Sequence, residues 1–70
     1  MLPLTLAEIG EEHIVRRIGG EPEVRAHLAD LGINAGTTVT VVSERDGDVI
    51  VKVKESSIAI SRETAQEIMV

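Results

Sequence analysis

The sequence predicts a small, mostly β barrel of about five strands with one inserted α-helix (about 22–31) and a short C-terminal helix (about 62–67). Three observations point there. The chain is 43% hydrophobic yet has no Phe, Tyr or Trp, so its core must be built from Val, Ile, Leu and Ala, and β-branched side chains favour a pleated surface. Val49, Val51 and Val53 alternate with Lys52 and Lys54, the period of a half-buried strand. Asp46-Gly47 between two such runs is a strong two-residue hairpin signal.

The elements follow in order. Thr5 to Gly10 reads as one turn, with Thr5 and Glu8 at capping spacing and Gly10 closing it. Glu12 to Ile18 reads as the first strand, with Ile14 and Ile18 on one face and Arg16 between them. A charge on that face implies a bulge or a barrel end. Gly19-Gly20 breaks the strand. Pro22 pre-sets a helix start, and Glu21 and Glu23 suit its positive end. Val24, Leu28 and Leu31 form one apolar stripe, and Gly32 is the natural left-handed cap. Leu28 to Thr37 therefore reads as a helix end, a tight turn over Gly36, and a strand start.

Thr37 to Arg45 is the second strand, Val39 and Val41 facing in and Val42 out. The third runs from Val49 to Lys54, Glu55-Ser56 turns, and Ser57 to Ile60 is the fourth, with Ile58 and Ile60 inward. Ser61 caps the helix Arg62–Glu67, which turns Ala65 and Ile68 inward, and Ile68 to Val70 is a final strand. So few strands hide a core best by curling, which also removes exposed edges. The expected architecture is a small SH3-like barrel with the helix covering one open side.

Residues 1–70 are expected to form a single domain. Without cysteine there is no disulfide framework, which fits a reducing cytoplasm. No signal peptide or membrane-crossing run is apparent. Twelve acidic against seven basic residues give a net charge of −5, which repels a phosphate backbone, and no ring is available for base stacking. Nucleic acid is thus an unfavoured partner. Proline-rich peptides are another, since their grooves are aromatic.

No segment supplies a nucleophile with its base, so an enzyme is not expected. Gly32 and Gly36 lack the following Lys of a phosphate loop and read as a cap and a turn. The pairs Glu21/Glu23 and Asp46/Asp48 suit a helix start and a turn, with no partner acid or base. Arg16 and Arg17 read as surface charge or as a small docking patch. Ile33, with Val42 and Met69, could add an apolar contact to such a patch.

Leu28-Ala29-Asp30-Leu31-Gly32-Ile33 followed by Gly36-Thr37 resembles the L-x-x-L-G-(apolar)-x-x-G-(T/S) signature of the ferrous iron transport protein A family, FeoA. The tail from Ile58 to Val70 resembles that family's ending, an apolar-Ala-apolar strand, a short helix and a closing I-x-V. Leu6, Gly10, Ile14 and Ile18 are similar in placement. The resemblance covers almost the whole chain. Leu28, Leu31, Gly32 and Gly36 carry the structural signature. Ala35 stands where the family often has Pro, Ile60-Ser61 where Leu-Arg is common, and Ala26 and His27 where basic residues are frequent. Those last two weaken a basic helix face as the docking surface.

The resemblance implies an SH3-like barrel and a cytoplasmic accessory role in bacterial or archaeal ferrous iron uptake. The implied partner is the membrane iron transporter with its cytoplasmic GTP-binding domain. No cofactor is implied. The barrel also looks like the C-terminal domain of iron-dependent repressors, so a metal-binding or metal-sensing domain is the alternative. Iron sites commonly join His to carboxylates. His13 lies beside Glu11 and Glu12, and His27 three residues before Asp30. Two ligands hold a metal poorly, and both histidines read as solvated. Arg16, Arg17 and Ile33 are the candidate partner contacts. An arginine supplied to the partner's GTP would stabilise transition-state charge, though nothing in the sequence selects which arginine.

Overall fold

The valine alternation builds the frame. A computed structural model describes residues 1–70 and contains strands β1 (Glu12–Ile14), β2 (Arg17–Ile18), β3 (Thr38–Arg45), β4 (Asp48–Val53), β5 (Ser56–Ser61) and β6 (Ile68–Met69). Helix α1 (Pro22–Asp30) lies between β2 and β3, and α2 (Arg62–Ala65) between β5 and β6. One sheet has the order β1-β3-β4-β5, and β2 pairs with β6 in the other. The register Val39↔Val53, Val41↔Val51 and Val49↔Ile60 stacks buried side chains across three strands. The core is wholly aliphatic: Leu4, Val15, Leu28, Ile33, Val39, Val41, Val49, Val51, Val53, Ile60, Ala65, Ile68 and Val70, with no buried polar residue. The result is the small SH3-like barrel that the pattern predicts.

It has six strands where about five are expected, because the expected strand Glu12–Ile18 is broken. The chain changes sheets at Val15-Arg16. The Val15 N–H donates to the Thr37 carbonyl at 2.8 Å and the Gly36 N–H donates to the Val15 carbonyl at 2.7 Å. One residue later the Arg16 N–H donates instead to the Met69 carbonyl at 2.8 Å. Arg16 and Arg17 both remain exposed at this corner, so the inward alternation skips a beat. Val15 is buried and Ile14 is 57% exposed, the reverse of the expectation that Ile14 and Ile18 share an inward face. Arg16, whose charge implied a bulge or a barrel end, sits at this corner, where the strand breaks and its partner changes.

Helix α1 starts as the sequence dictates, with Pro22 at its first position, and its Glu21 cap makes no side-chain bond. Leu28 is fully buried, while Val24 and Leu31 pack part-buried against the core. The helix ends one residue before the expected Leu31. Gly32 adopts φ +91°, its N–H donates to Ala29 at 2.9 Å, and the Ile33 N–H donates to Leu28 at 2.8 Å. These paired bonds, with Leu28 and Ile33 both buried beside them, form a Schellman cap.

Smaller boundaries shift too. The Thr5–Gly10 turn divides into a 3-10 turn at Leu4–Leu6, entered from Pro3 rather than capped by Thr5, and a separate turn at Ile9-Gly10. Val42 sits at a break in the β3–β4 register and points outward, as expected. Lys54 leaves the third strand for the β4–β5 turn, where it adopts φ +57°, so the turn is Lys54-Glu55 rather than Glu55-Ser56. Helix α2 is shorter than expected, ending at Ala65. Ser61 caps it, its Oγ accepting from the Thr64 N–H at 3.1 Å.

Candidate docking surface

The interior is apolar, and the candidate polar contacts lie on the outside. The sheet corner places one cluster there. Arg17 pairs with Met69 across β2 and β6, and Pro3 bridges Met69 from the other side, giving a row Arg17–Met69–Pro3 on one face of the small sheet. Arg16 is the exposed neighbour whose backbone holds the Met69 carbonyl. Met1 and Leu2, exposed at 72% and 41%, precede Pro3 in the chain. Arg16, Arg17 and Met69, candidates from the sequence, meet at this corner.

It does not bring Ile33 or Val42 to them. Ile33 is 0% exposed, so its candidacy as a partner contact is corrected. As the residue just past Gly32 it closes the apolar side of the helix cap, and capping drives it inward. Val42 is 45% exposed but belongs to the other sheet.

A second surface feature has no signal in the sequence. Cross-strand register sets Glu12, Thr40, Lys52 and Ser57 in one row across all four strands of the large sheet. Around it a shallow depression of about 710 Å³ is lined by Gly10, Glu12, Gly36, Thr37, Thr38, Thr40, Lys52 and Lys54, none of them apolar. Alternation had marked the lysines as outward; only the pairing register shows that threonines stand beside them. A smaller cleft of about 340 Å³ between α1 and α2 carries Glu21, Glu63 and Glu67. Gly19 and Gly20 pack on Glu67, and a Cβ at Gly19 would stand 2.8 Å from the Glu67 Oε2.

The histidines fall apart from one another. His27 is exposed on α1. His13 pairs with Val39 on the inward side of β1, and its Nε2 is buried with no hydrogen-bond partner, so it is not the solvated residue expected. No three His, Cys, Asp or Glu side chains converge closely enough to hold a metal ion. The one ion pair, Arg62–Glu44 at 3.7 Å, is half-exposed and contributes little. No helix is long and apolar enough to cross a membrane.

The comparisons with known proteins agree with this fold. The family model described as FeoA domain matches residues 2–70. A "Putative Fe(2+) transport protein A" from Methanocaldococcus jannaschii is 41% identical over 70 residues, spanning 100% of this chain and 85% of that protein. Among solved structures, an "Iron Uptake Regulatory Protein (FeoA)" superposes with a TM-score of 0.87 at 32% identity, covering 99% of this chain and 92% of the other. A manganese-dependent transcriptional repressor gives a TM-score of 0.85 at 23% identity over 94% of this chain and 38% of its own, a likeness of fold alone. With a family model matched from residue 2 to the last residue and a relative above two-fifths identical, this chain belongs to the FeoA domain family.

Proposed function

We propose that this protein is a cytoplasmic accessory factor of ferrous iron uptake, a non-enzymatic module that docks on the cytoplasmic GTP-binding region of the membrane iron transporter. The observation that carries the reading is the match of residues 2–70 to the family, supported by a full-length relative named for Fe(2+) transport. The exposed corner of Arg16, Arg17 and Met69 is the docking surface we assign. It combines two fixed cations with a part-buried thioether, a combination suited to an apolar contact rimmed by carboxylates. Docking regulates by differential affinity: a partner that binds this module better in one conformation is pulled toward it.

The test is an NMR titration of isotope-labelled protein with the transporter's isolated GTP-binding region. Shifts are expected at residues 16–18 and 68–69. Arg17→Glu is expected to weaken binding by roughly tenfold, on the order of 1.4 kcal/mol, with the fold intact. Absence of any shift at several hundred micromolar partner would overturn the reading. Shifts confined to the lysine-threonine depression would move the docking surface there.

A further inference from the structure

The edge of β5 is open and reads the same in both directions. β5 pairs only with β4, in the register Val53↔Ser56 through Asp48↔Ser61. The Arg62 N–H continues that ladder to the Gly47 carbonyl at 2.9 Å, so the even-numbered residues of β5 face β4. The odd-numbered ones, Ser57, Ala59 and Ser61, turn their N–H groups outward. No hydrogen bond joins those groups to another strand. Edges of this kind are ordinarily blunted by Lys, Pro or a bulge. β5 has none: its sequence is Ser56-Ser57-Ile58-Ala59-Ile60-Ser61, with no charge and no break in register.

We propose that β5 pairs antiparallel with β5 of a second copy of this chain. Ser57-Ile58-Ala59-Ile60-Ser61 is a palindrome about Ala59. A two-fold axis at Ala59 therefore sets Ala59 opposite the partner's Ala59, Ile58 opposite the partner's Ile60, and Ser57 opposite the partner's Ser61. Self-complementarity is what a two-fold interface requires, since one patch must serve both sides. The outward N–H groups of Ser57, Ala59 and Ser61 then donate to the carbonyls of the partner's Ser61, Ala59 and Ser57, in ladder geometry. Ile58, only part-buried in one copy, gains the partner's Ile60 as a cross-strand neighbour. An uncharged strand also lets a chain of net charge −5 approach its own copy without like charges in the seam. A single strand pair buries less than the roughly 1,000 Å² of a stable interface, so the association is weak and concentration-dependent.

The experiment is sedimentation equilibrium and NMR diffusion on the full chain from about 20 μM to about 2 mM, a span covering weak association. A reversible dimer is expected, with slowed amide exchange at Ser57, Ala59 and Ser61. Ala59→Lys and Ala59→Glu are each expected to weaken it by about fivefold, because like charges then stand directly opposite. Mixing the two variants restores association, because the axis puts Lys opposite Glu. Ala59→Pro, which deletes an outward N–H and costs the β4 ladder nothing, abolishes the dimer. Far-UV circular dichroism confirms that each variant is folded. A chain still monomeric at 2 mM, or a dimer indifferent to all these changes, overturns the proposal. Failure of the charge-swapped mixture to recover also overturns it, as would protection of the edge only by an added extended peptide.

Discussion

Gly32 shows at the scale of one residue how much the sequence can reveal. A glycine after an apolar stripe announces a left-handed cap, and φ is +91° there. A Cβ at Gly32 would lie 3.9 Å from Val53 Cγ1, an ordinary contact. The cost of Gly32→Ala is therefore conformational, about 1 kcal/mol. That corresponds to a melting temperature lowered by roughly 4–8 °C in a domain of this size. A melt unchanged by the substitution would mean the cap is not strained. His13 shows the opposite case. Its burial depends on pairing with Val39, a partner twenty-six positions away, and no local pattern reveals that. An orphaned buried nitrogen carries a desolvation cost, so His13→Leu should leave stability unchanged or raise it by up to about 1 kcal/mol. A clear loss on that change would show that the imidazole holds something the fold needs. Ile33 was misread because its side chain is claimed by the cap rather than by strand or helix periodicity.

At the scale of elements, the regular pieces were legible and the corner was not. β4 and α1 carry their periods in consecutive residues, so counting finds them. The break between β1 and β2 depends on backbone partners far along the chain, Thr37 for one side and Met69 for the other. Period alone extends the strand through it and assigns Ile14 to the wrong face. Helix α2 is short and depends on its cap. Ser61 Oγ accepts from the Thr64 N–H and also donates to Thr64 Oγ1 at 2.8 Å. Ser61→Ala should cost about 1 kcal/mol, and Ser61→Thr should recover most of it, read from chemical denaturation. Equal stability of all three proteins would show that the cap is dispensable. The proposed docking cluster is half legible: Arg16-Arg17 is visible as a charge pair, but its meeting with Met69 and Pro3 is a product of the corner.

At the scale of the molecule, one aliphatic core joins both sheets and both helices. A domain this small keeps only about 3–5 kcal/mol of net stability. Leu28 is the single fully buried side chain of α1. Leu28→Ala should cost roughly 2–5 kcal/mol and leave a large unfolded fraction at room temperature. Far-UV circular dichroism is the suitable monitor, since the chain has no aromatic reporter. A variant that melts like the parent would show that the helix is not seated in the barrel. The two bonds that tie Val15 to Gly36 and Thr37 decide where the polypeptide tolerates added length. The segment after α1 is at once a helix terminator and the clasp that locks the sheet corner, so even one inserted residue there would pull the clasp off its post. At Asp46-Gly47 only one bond reaches the loop from outside the hairpin, the Arg62 N–H to the Gly47 carbonyl at 2.9 Å, and a peptide tag spliced in ahead of Gly47 should leave the architecture whole.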